Sequence, residues 1–428
     1  MSSLTEQENE KNEEVDIEIT INEKMILLCH NLMNNILDFI PNNPRYLNNF
    51  SLSCKLFESI LQPRIDNKFW DTLVEFLGEE NCEGLKNNTL KKLIIPRYNA
   101  MDELHPWVEC FPIHLECLYS ILKKNTSIED IKYKEGTHLK YGESKKLAQI
   151  LKTNTTWRSI NFSRIFLDAK PFCVALKTNK TLKEITFYGN IWDTMDINNI
   201  SEMLKVNSSL ESLCLNESYG VDDDGVILLA SALKVNSSLK YLGLGACNEF
   251  GIKSMIELAK ALKINKSLTS LDLGCDKDGF GEDADEIADV MGKMLQYNST
   301  LKELDLSLAK ISDIGMTKLA AGLKNNNSLE QLGLRYCIVG DKGAKAIGSL
   351  LKTNSSLKDI DLYNNNIGNE GAMYLYHGMV ENNTLERITF SPEDLDPEID
   401  WETWGLLREL VIQKENLTIH NGWDDEPI

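Results

Sequence analysis

The amino-acid sequence predicts an α/β fold, a right-handed solenoid in which short parallel strands alternate with helices. The first observation is an apolar phrase in residues 354–371, whose fixed positions are Leu357, Ile360, Leu362, Asn365, Ile367 and Gly371. The second is its recurrence, since copies of the phrase begin at Leu90, Ile128, Trp157, Leu182, Leu210, Leu239, Leu268, Leu301, Leu329 and Leu385, with a truncated copy at Leu417. Several successive copies lie 28 or 29 residues apart. Such a period indicates a repeat architecture rather than a set of separate globular domains.

Each copy of the phrase combines a strand pattern with a helix pattern. Ile360 and Leu362, like Leu304 and Leu306, alternate with polar residues, which predicts a short strand with one buried face. Residues 343–351 carry apolar side chains at helical spacing. Since one unit cannot bury its own apolar face, neighbouring units must stack and share a continuous core.

The L-x-x-L-x-L spacing and the Asn or Cys that follows it resemble the leucine-rich repeat. The repeat length is similar to that of the ribonuclease-inhibitor type, which has room for a full helix beside each strand. The resemblance implies a horseshoe with its strands on the inside and its helices on the outside. Residues 81–399 would then form about eleven such repeats.

An Asn precedes the first apolar residue of most repeats by three positions, as at Asn326, Asn354 and Asn382. It follows a helix end, so we predict that it adopts positive φ as a left-handed cap. Many of these Asn residues begin an Asn-x-Ser/Thr triplet, for example Asn207-Ser208-Ser209. The acidic N-terminus lacks the apolar segment of a secretory signal. We therefore expect these triplets to be structural and to carry no glycan.

Charge and cysteine content restrict the possible partners and compartments. The formal net charge is −20, and residues 1–24 and 391–428 contribute most of it. We therefore expect neither a nucleic acid nor an anionic membrane as a partner, and no apolar run is long enough for a membrane span. The ten Cys residues include no C-x-x-C pair, which favours a reducing compartment, the cytoplasm or the nucleus.

The N-terminal part differs from the repeats in composition. Residues 1–23 are acidic and poor in large apolar residues, so we expect a disordered tail. Residues 24–80 have apolar side chains at helical spacing, interrupted by Pro41 and Pro63, and predict a small all-α unit.

Within this unit, the segments 28–40 (L-C-H-N-L-M-N-N-I-L-D-F-I) and 52–57 (L-S-C-K-L-F), with Trp70, resemble an F-box. Cys29 and Asn31 replace the Pro and the acidic residue that the family usually has. The resemblance implies docking to a Skp-type linker of a cullin-based (SCF-type) ubiquitin ligase through Leu28, Leu32, Ile36, Leu37, Leu47, Leu52 and Phe57. The alternative is that these helices only cap the first repeat.

The C-terminal residues 400–428 predict a cap followed by an acidic tail. The segment after Asp400 has apolar residues at helical spacing, and we expect Trp401 and Trp404 to cover the last repeat. Two insertions interrupt the repeat period. One contains Trp107, and the other, residues 276–286, is predicted to be a solvated loop despite its weak similarity to dinucleotide-binding and calcium-binding motifs.

The residues two, four and six places after the first apolar residue of each repeat should face the inside of the solenoid. They include a basic pair, Lys132 and Lys134, and acids such as Asp272, Asp305 and Asp361 in the C-terminal half. Tyr and Arg are favoured at protein interfaces. Our candidate anchors for a folded protein or a basic peptide are Tyr188, Tyr241, Arg335, Tyr336 and Tyr363. The alternative is that the Asp residues belong to the repeat itself.

No catalytic motif stands out, so we expect a protein without enzymatic activity, cofactor or metal. The leading hypothesis is a protein-recognition module that selects substrates for ubiquitylation and is a monomer outside its complex. A non-catalytic scaffold or sensor is the first alternative. The second is a GTPase activator, since the repeats resemble those of the Ran activator and Arg164 or Arg335 could supply the Arg which that family needs.

Overall fold

A computed structural model of the protein describes residues 83–95, 118–137, 139, 141–247, 250–276, 278–390, 399–414 and 416–420, apart from Lys86 and Ser120. Twelve strands of this region form one parallel sheet, in which the spatial order follows the order along the chain. The strands are β1 (Lys92–Ile95), β2 (Asp130–Tyr133), β3 (Ser159–Asn161), β4 (Glu184–Thr186), β5 (Ser212–Cys214), β6 (Tyr241–Gly243), β7 (Ser270–Asp272), β8 (Glu303–Asp305), β9 (Gln331–Gly333), β10 (Asp359–Asp361), β11 (Arg387–Thr389) and β12 (Thr418–His420).

A helix follows each strand from β2 to β11. The helices are α1 (Tyr141–Thr153), α2 (Ala169–Leu176), α3 (Thr194–Leu204), α4 (Asp223–Leu233), α5 (Ile252–Ile264), α6 (Ala284–Leu295), α7 (Asp313–Leu323), α8 (Asp341–Leu351), α9 (Asn369–Glu381) and α10 (Trp401–Gln413). Parallel strands joined by helices make right-handed crossovers. The predicted α/β solenoid is therefore confirmed.

The apolar positions of the repeat form the core between the sheet and the helices. Leu239, Leu242 and Leu244 have no exposed surface, and the equivalent residues of the neighbouring repeats are buried in the same way. Burial of one such side chain is worth about 1.5–3 kcal/mol. Trp157, which replaces the first Leu of its repeat, is also completely buried.

Differences in repeat length correspond to differences in the helices. The step from Trp157 to Leu182 is 25 residues because α2 has only 8 residues, whereas α3 has 11 and α5 has 13. The step from Leu268 to Leu301 is 33 residues because a short 3₁₀ helix, Gly281–Asp283, precedes α6. The predicted loop, residues 276–286, lies at the exit of β7, but its last three residues belong to α6, and Ala284 is buried.

The Asn residues that precede the strands form hydrogen-bonded ladders between repeats. The side-chain oxygen of Asn236 accepts from the backbone N–H groups of Ser238 (3.0 Å) and Leu239 (2.8 Å). Its Nδ2 donates to the backbone carbonyls of Leu204 (2.8 Å) and Asn207 (3.2 Å) in the preceding repeat. The same bonds recur at Asn179, Asn207, Asn265, Asn326, Asn354 and Asn382.

The prediction that these Asn residues adopt positive φ is wrong. Asn265 and Asn382 have φ of −62° and −82°, because a backbone in the extended region directs the side chain into the ladder. Positive φ occurs instead seven places after the first apolar residue, at Arg164, Glu217, Ala246, Leu308, Tyr336 and Asn364. The ladder Asn residues are buried and their Nδ2 atoms donate hydrogen bonds, so a glycan on Nδ2 is incompatible with this fold.

A second set of bonds between repeats holds the amino-terminal ends of the helices. Asp313, in the first turn of α7, accepts from the backbone N–H groups of Gly340 (2.7 Å) and Gly343 (2.8 Å) at the start of α8. Asp341 does the same for Gly368 and Gly371 at the start of α9. α7 and α8 therefore each cap the helix that follows, at the end where a carboxylate is electrostatically favourable.

The C-terminal end is covered by α10 and β12. The ring of Trp404 stacks on Phe390 at a centroid distance of 6.0 Å. Lys414 donates to the carbonyl of Asn382 and so takes the place of the next ladder Asn. Trp401, however, is 86% exposed, and the prediction that both Trp residues cover the last repeat is wrong for this one. Trp401 is the first residue of α10, directly after Asp400, which caps the helix by accepting from the N–H of Thr403 at 2.8 Å.

Several predictions fall outside the described residues. They are the acidic tail 1–23, the F-box-like unit 24–80 with its seven docking residues, the insertion around Trp107, and the acidic tail after His420. Among the helices that the structure does describe, none is long and apolar enough to cross a membrane.

Candidate protein-binding face

The face of the sheet that points away from the helices is formed by the residues on either side of each buried strand centre. In β8, for example, Glu303 and Asp305 flank the buried Leu304, and β10 has Asp359 and Asp361 on either side of Ile360. Because the strands are parallel and in register, these side chains form continuous rows across neighbouring repeats. This is the placement that the sequence predicts for a binding surface.

A groove of about 320 Å³ lies on this face between β6 and β11. Its lining combines polar strand residues with five carboxylates and one Arg: Tyr241, Ser270, Leu271, Asp272, Glu303, Leu304, Asp305, Gln331, Leu332, Gly333, Asp359, Asp361 and Arg387. Arg387 is itself paired, because its Nε donates to Asp359 Oδ2 at 2.9 Å. The groove is therefore strongly acidic.

Hydrogen bonds to the backbone fix the Asp side chains of the groove. Asp305 Oδ1 accepts from the N–H of Ser307 at 2.8 Å, and Asp272 Oδ1 accepts from that of Gly274 at 2.9 Å. Asp272 also accepts from Asn216 Nδ2 at 2.5 Å. These bonds support the alternative that the Asp residues belong to the turn of the repeat. The same carboxylates nevertheless line the groove, so the structural and the binding interpretation are compatible.

Burial changes the acidity of two groove carboxylates. Partial burial raises the pKa of Asp272 above its usual value, and the hydrogen bonds from Gly274 and Asn216 oppose that effect. Burial likewise raises the pKa of Asp361, although Arg335 lies 3.6 Å from Asp361 Oδ2 and acts in the opposite direction. A cation in the groove would favour the charged form of both groups.

The predicted anchors fall into two clusters. Tyr241 is half-buried in the groove, and burial raises the pKa of its hydroxyl. Arg335 and Tyr336 are exposed at the exit of β9, and Arg335 Cζ lies 4.9 Å from the ring centroid of Tyr363. Tyr363 is only 4% exposed, and it also packs edge-to-face against Tyr336 at 5.5 Å. In this structure Tyr363 therefore supports the two exposed residues rather than presenting its own ring.

Tyr188 belongs to a separate cluster at the exits of β3, β4 and β5. Arg164 Nη2 donates to Glu217 Oε2 at 2.8 Å, and Arg164 Cζ lies 5.5 Å from the centroid of Tyr188. A hydrogen bond between Tyr188 and Glu217 raises the pKa of the Tyr hydroxyl. Both Arg residues nominated for a GTPase activator are thus held by carboxylates of their own chain, Arg164 by Glu135 and Glu217 and Arg335 by Asp361.

Three exposed apolar residues, which the strand pattern does not predict as part of a surface, lie beside this cluster. Phe166, Ile191 and Tyr219 are 53%, 62% and 67% exposed, and each lies nine places after the first apolar residue of its repeat. The signal was present, since the same position is large and apolar in three successive repeats. This position lies in the turn after the strand, outside the strand positions from which a surface is predicted.

Comparison with known protein families identifies three of these repeats. A family model described as "Leucine Rich repeat" matches residues 297–320, 325–348 and 353–375. No curated protein sequence matches the chain. The F-box-like segment and the ribonuclease-inhibitor type of the repeat stay predictions.

Two solved structures are similar to part of this chain. The structure titled "Leiomodin-1 Actin-Binding Site 2 (ABS2)" is 19% identical with a TM-score of 0.31, over 38% of this chain and 88% of that chain. An internalin (inlF) from Listeria monocytogenes str. 4b F2365 is 15% identical with a TM-score of 0.37, over 74% of this chain and 93% of that chain. The matched repeats and the order of the strands show that the chain contains leucine-rich repeats and folds as a leucine-rich-repeat solenoid.

Proposed function

We propose that this protein is a recognition module whose acidic groove binds a basic segment of a partner protein. The observation that supports the proposal is the convergence of five carboxylates and Tyr241 on one groove of the sheet face. Stacked repeats present such a face as an extended binding surface. No chemistry on the partner is required for this role.

The groove suits Lys and Arg side chains for two physical reasons. Three of its five carboxylates, Asp272, Asp305 and Asp361, accept backbone hydrogen bonds, so little side-chain entropy is lost there when a cation binds. Complementary charge also accelerates association and excludes acidic partners. Tyr241 and the cluster of Arg335 and Tyr336 supply the amphipathic side chains that interfaces favour.

The groove can be tested with a labelled Lys- and Arg-rich peptide and the full chain, by fluorescence anisotropy. We expect Glu303→Gln together with Asp305→Asn to weaken binding about tenfold or more, because each lost charge pair is worth about 1 kcal/mol or more at an interface. Asp224→Asn is the matched control, since this exposed carboxylate lies on α4. Equal affinity of the double variant and the wild type would refute the groove as the binding site.

A second proposal concerns the ligase adaptor role. The resemblance of residues 28–40 and 52–57 to an F-box supports docking to a Skp-type linker, with the solenoid holding a substrate near the ligase. Tethering of this kind raises the effective concentration of the substrate without catalysis by the adaptor.

Binding of the full chain to purified Skp-type linker tests the adaptor role. We expect binding that Leu37→Asp abolishes and that Ile412→Asp, an exposed position on α10, leaves unchanged. Absence of binding by a folded wild-type chain would remove the ligase role. The protein would then be a recognition scaffold that acts through its repeats alone.

A further inference from the structure

One edge of the solenoid, where each helix ends and the next strand begins, has a composition unlike that of the rest of the chain. We define the basic edge as residues 174–183, 202–211, 231–240, 260–269 and 293–302. These segments contain eleven Lys, two Glu and no Asp, whereas the chain as a whole has a formal net charge of −20.

A row of exposed apolar side chains crosses the basic edge. Val206, Val235, Ile264 and Tyr297 are 54%, 63%, 59% and 66% exposed. Each lies immediately before a ladder Asn, so the same position is apolar in four successive repeats. Single exposed apolar residues are ordinary, but aligned ones indicate an interaction site.

The Asn ladder holds this row in place. Asn236 donates to the carbonyl of Asn207 at 3.2 Å, and Asn265 donates to that of Asn236 at 3.0 Å. Hydrogen bonds therefore join the turns that carry Val206, Val235 and Ile264. Lys263 Nζ lies 4.8 Å from the ring centroid of Tyr297, which connects the fourth member to the row. A rigid surface of this kind loses little entropy on binding.

Helix electrostatics explain only part of this composition. Lys residues at helix C-termini favour the negative end of the helix dipole, and this applies to Lys205 and Lys234. The dipole does not account for the apolar row. Seven of the eleven Lys residues have carboxylate partners: Lys183 and Lys240 with Glu211, Lys205 with Glu202, Lys234 and Lys260 with Glu257, Lys293 with Asp289, and Lys302 with Glu330. These pairs use only five carboxylates, so the edge keeps an excess of positive charge.

We infer that the basic edge binds an acidic segment of a partner protein that carries aliphatic or aromatic side chains. The apolar row would receive those side chains, and the flanking Lys residues would pair with the Asp and Glu residues between them. Packed helices lie about 8–10 Å apart, so a row across four repeats is about 30 Å long, and about ten extended residues span it. The occupant is a protein rather than an anionic membrane, because the net charge of the chain opposes approach to a negatively charged surface.

A subtractive peptide selection tests this inference on the full chain. A displayed library of random peptides is bound to the wild type after depletion on the double variant Val235→Glu and Ile264→Glu, whose exposed positions leave the core intact. We expect the recovered peptides to be rich in Asp, Glu, Leu, Val and Phe. A labelled representative should bind the double variant at least tenfold more weakly than the wild type. Ile412→Glu, which is 80% exposed on α10, should have no effect.

Three outcomes would overturn the inference. The first is the absence of peptides that distinguish the wild type from the double variant, and the second is recovery of basic peptides. The third is a result in which no acidic peptide binds and the wild type instead binds vesicles of phosphatidylserine and phosphatidylcholine, or self-associates with increasing concentration. The double variant would lose that vesicle binding or self-association. Glu303→Gln with Asp305→Asn, which tests the groove, should leave acidic-peptide binding unchanged, so that the two proposals can fail independently.

Discussion

At the scale of the residue, the ladder Asn is the side chain on which the repeat most depends. It uses both its acceptor and its donor groups, whereas Asp, which has the same size and shape, offers only acceptors when ionised. Asn236 is 6% exposed, so any polar group left unpaired there cannot be compensated by bulk water. The positions of the ladder could be predicted from the sequence, but its geometry could not. A capping Asn and a ladder Asn occupy the same place in the pattern and differ only in backbone φ.

We predict that Asn236→Ala lowers the free energy of unfolding by about 2–4 kcal/mol, because two backbone N–H groups and two carbonyls lose their partner. The midpoint of urea denaturation measures the effect. Asn327→Ala is the matched control, since that side chain is exposed beside the ladder. Similar midpoints for the two variants would contradict a structural role of the ladder.

The groove carboxylates predict how binding depends on pH. Burial raises the pKa of Asp361, so this group takes up a proton at a higher pH than an exposed Asp does, which titrates at about 4. As the pH falls, the affinity for a basic peptide should therefore begin to decrease above the range of an ordinary Asp. Folding stability depends on pH in the opposite direction to peptide binding, because a raised pKa means that the native state binds more protons than the unfolded state. The contribution of Asp361 to stability thus falls as the pH rises through the raised pKa.

Anisotropy titrations between about pH 4 and pH 7 test this dependence against Asp361→Asn, with urea midpoints at each pH as the second readout. The variant keeps the side-chain oxygen that accepts from the N–H of Tyr363 at 3.1 Å. Its binding and stability profiles should both be flatter than those of the wild type. Identical profiles would show that Asp361 does not titrate in this range.

At the scale of the element, glycines bring pairs of helices into unusually close contact. A Cβ atom on Gly322 of α7 would lie 2.2 Å from the carbonyl oxygen of Gly292 in α6. A Cβ on Gly348 of α8 would lie equally close to the carbonyl oxygen of Tyr374 in α9. Backbone atoms cannot move aside as a side chain does. These positions therefore require Gly, although helices otherwise disfavour it.

We predict that Gly322→Ala destabilises the protein by about 1–3 kcal/mol, as overpacking does in a well-packed interior. Gly405→Ala is the matched control in α10, where a Cβ would meet no other atom within 4 Å. It should be neutral or stabilise by up to about 1 kcal/mol, because Ala is the better helix former. Thermal or urea unfolding separates the two. A neutral Gly322→Ala would mean that α6 and α7 can move apart at no cost.

The elements themselves could be predicted almost completely, because each has a periodic signature that recurs. The strands from β2 to β11 begin two places after the predicted first apolar residue, as Asp130 does after Ile128. In the truncated repeat, β12 begins at Thr418, only one place after Leu417. Thr418 nevertheless pairs with Arg387, the first residue of β11. The exposed rows could not be predicted in this way. The sequence shows that a turn residue is apolar, but it does not show whether a neighbouring side chain covers that residue or leaves it exposed.

At the scale of the whole molecule, parallel helices give the described repeats two edges of opposite character. Helix starts carry carboxylates such as Asp313 and Asp341, and helix ends carry the basic edge. Since every helix has the same direction, the edge charges add along the solenoid rather than cancel. We propose that the acidic groove and the basic edge select for opposite partner chemistry on one protein.

Because each repeat contacts only its neighbours, damage at one end should stay local. We predict that Trp404→Ala accelerates amide hydrogen exchange in α10, β12 and β11 and leaves β5 and β6 unchanged. The Trp404 ring stacks on Phe390, and its loss should cost the terminal repeat about 1–3 kcal/mol. Trp401→Ala is the matched control, since this neighbouring ring is 86% exposed. Uniform acceleration in all strands of the Trp404 variant would mean that the solenoid unfolds as one cooperative unit rather than from its end.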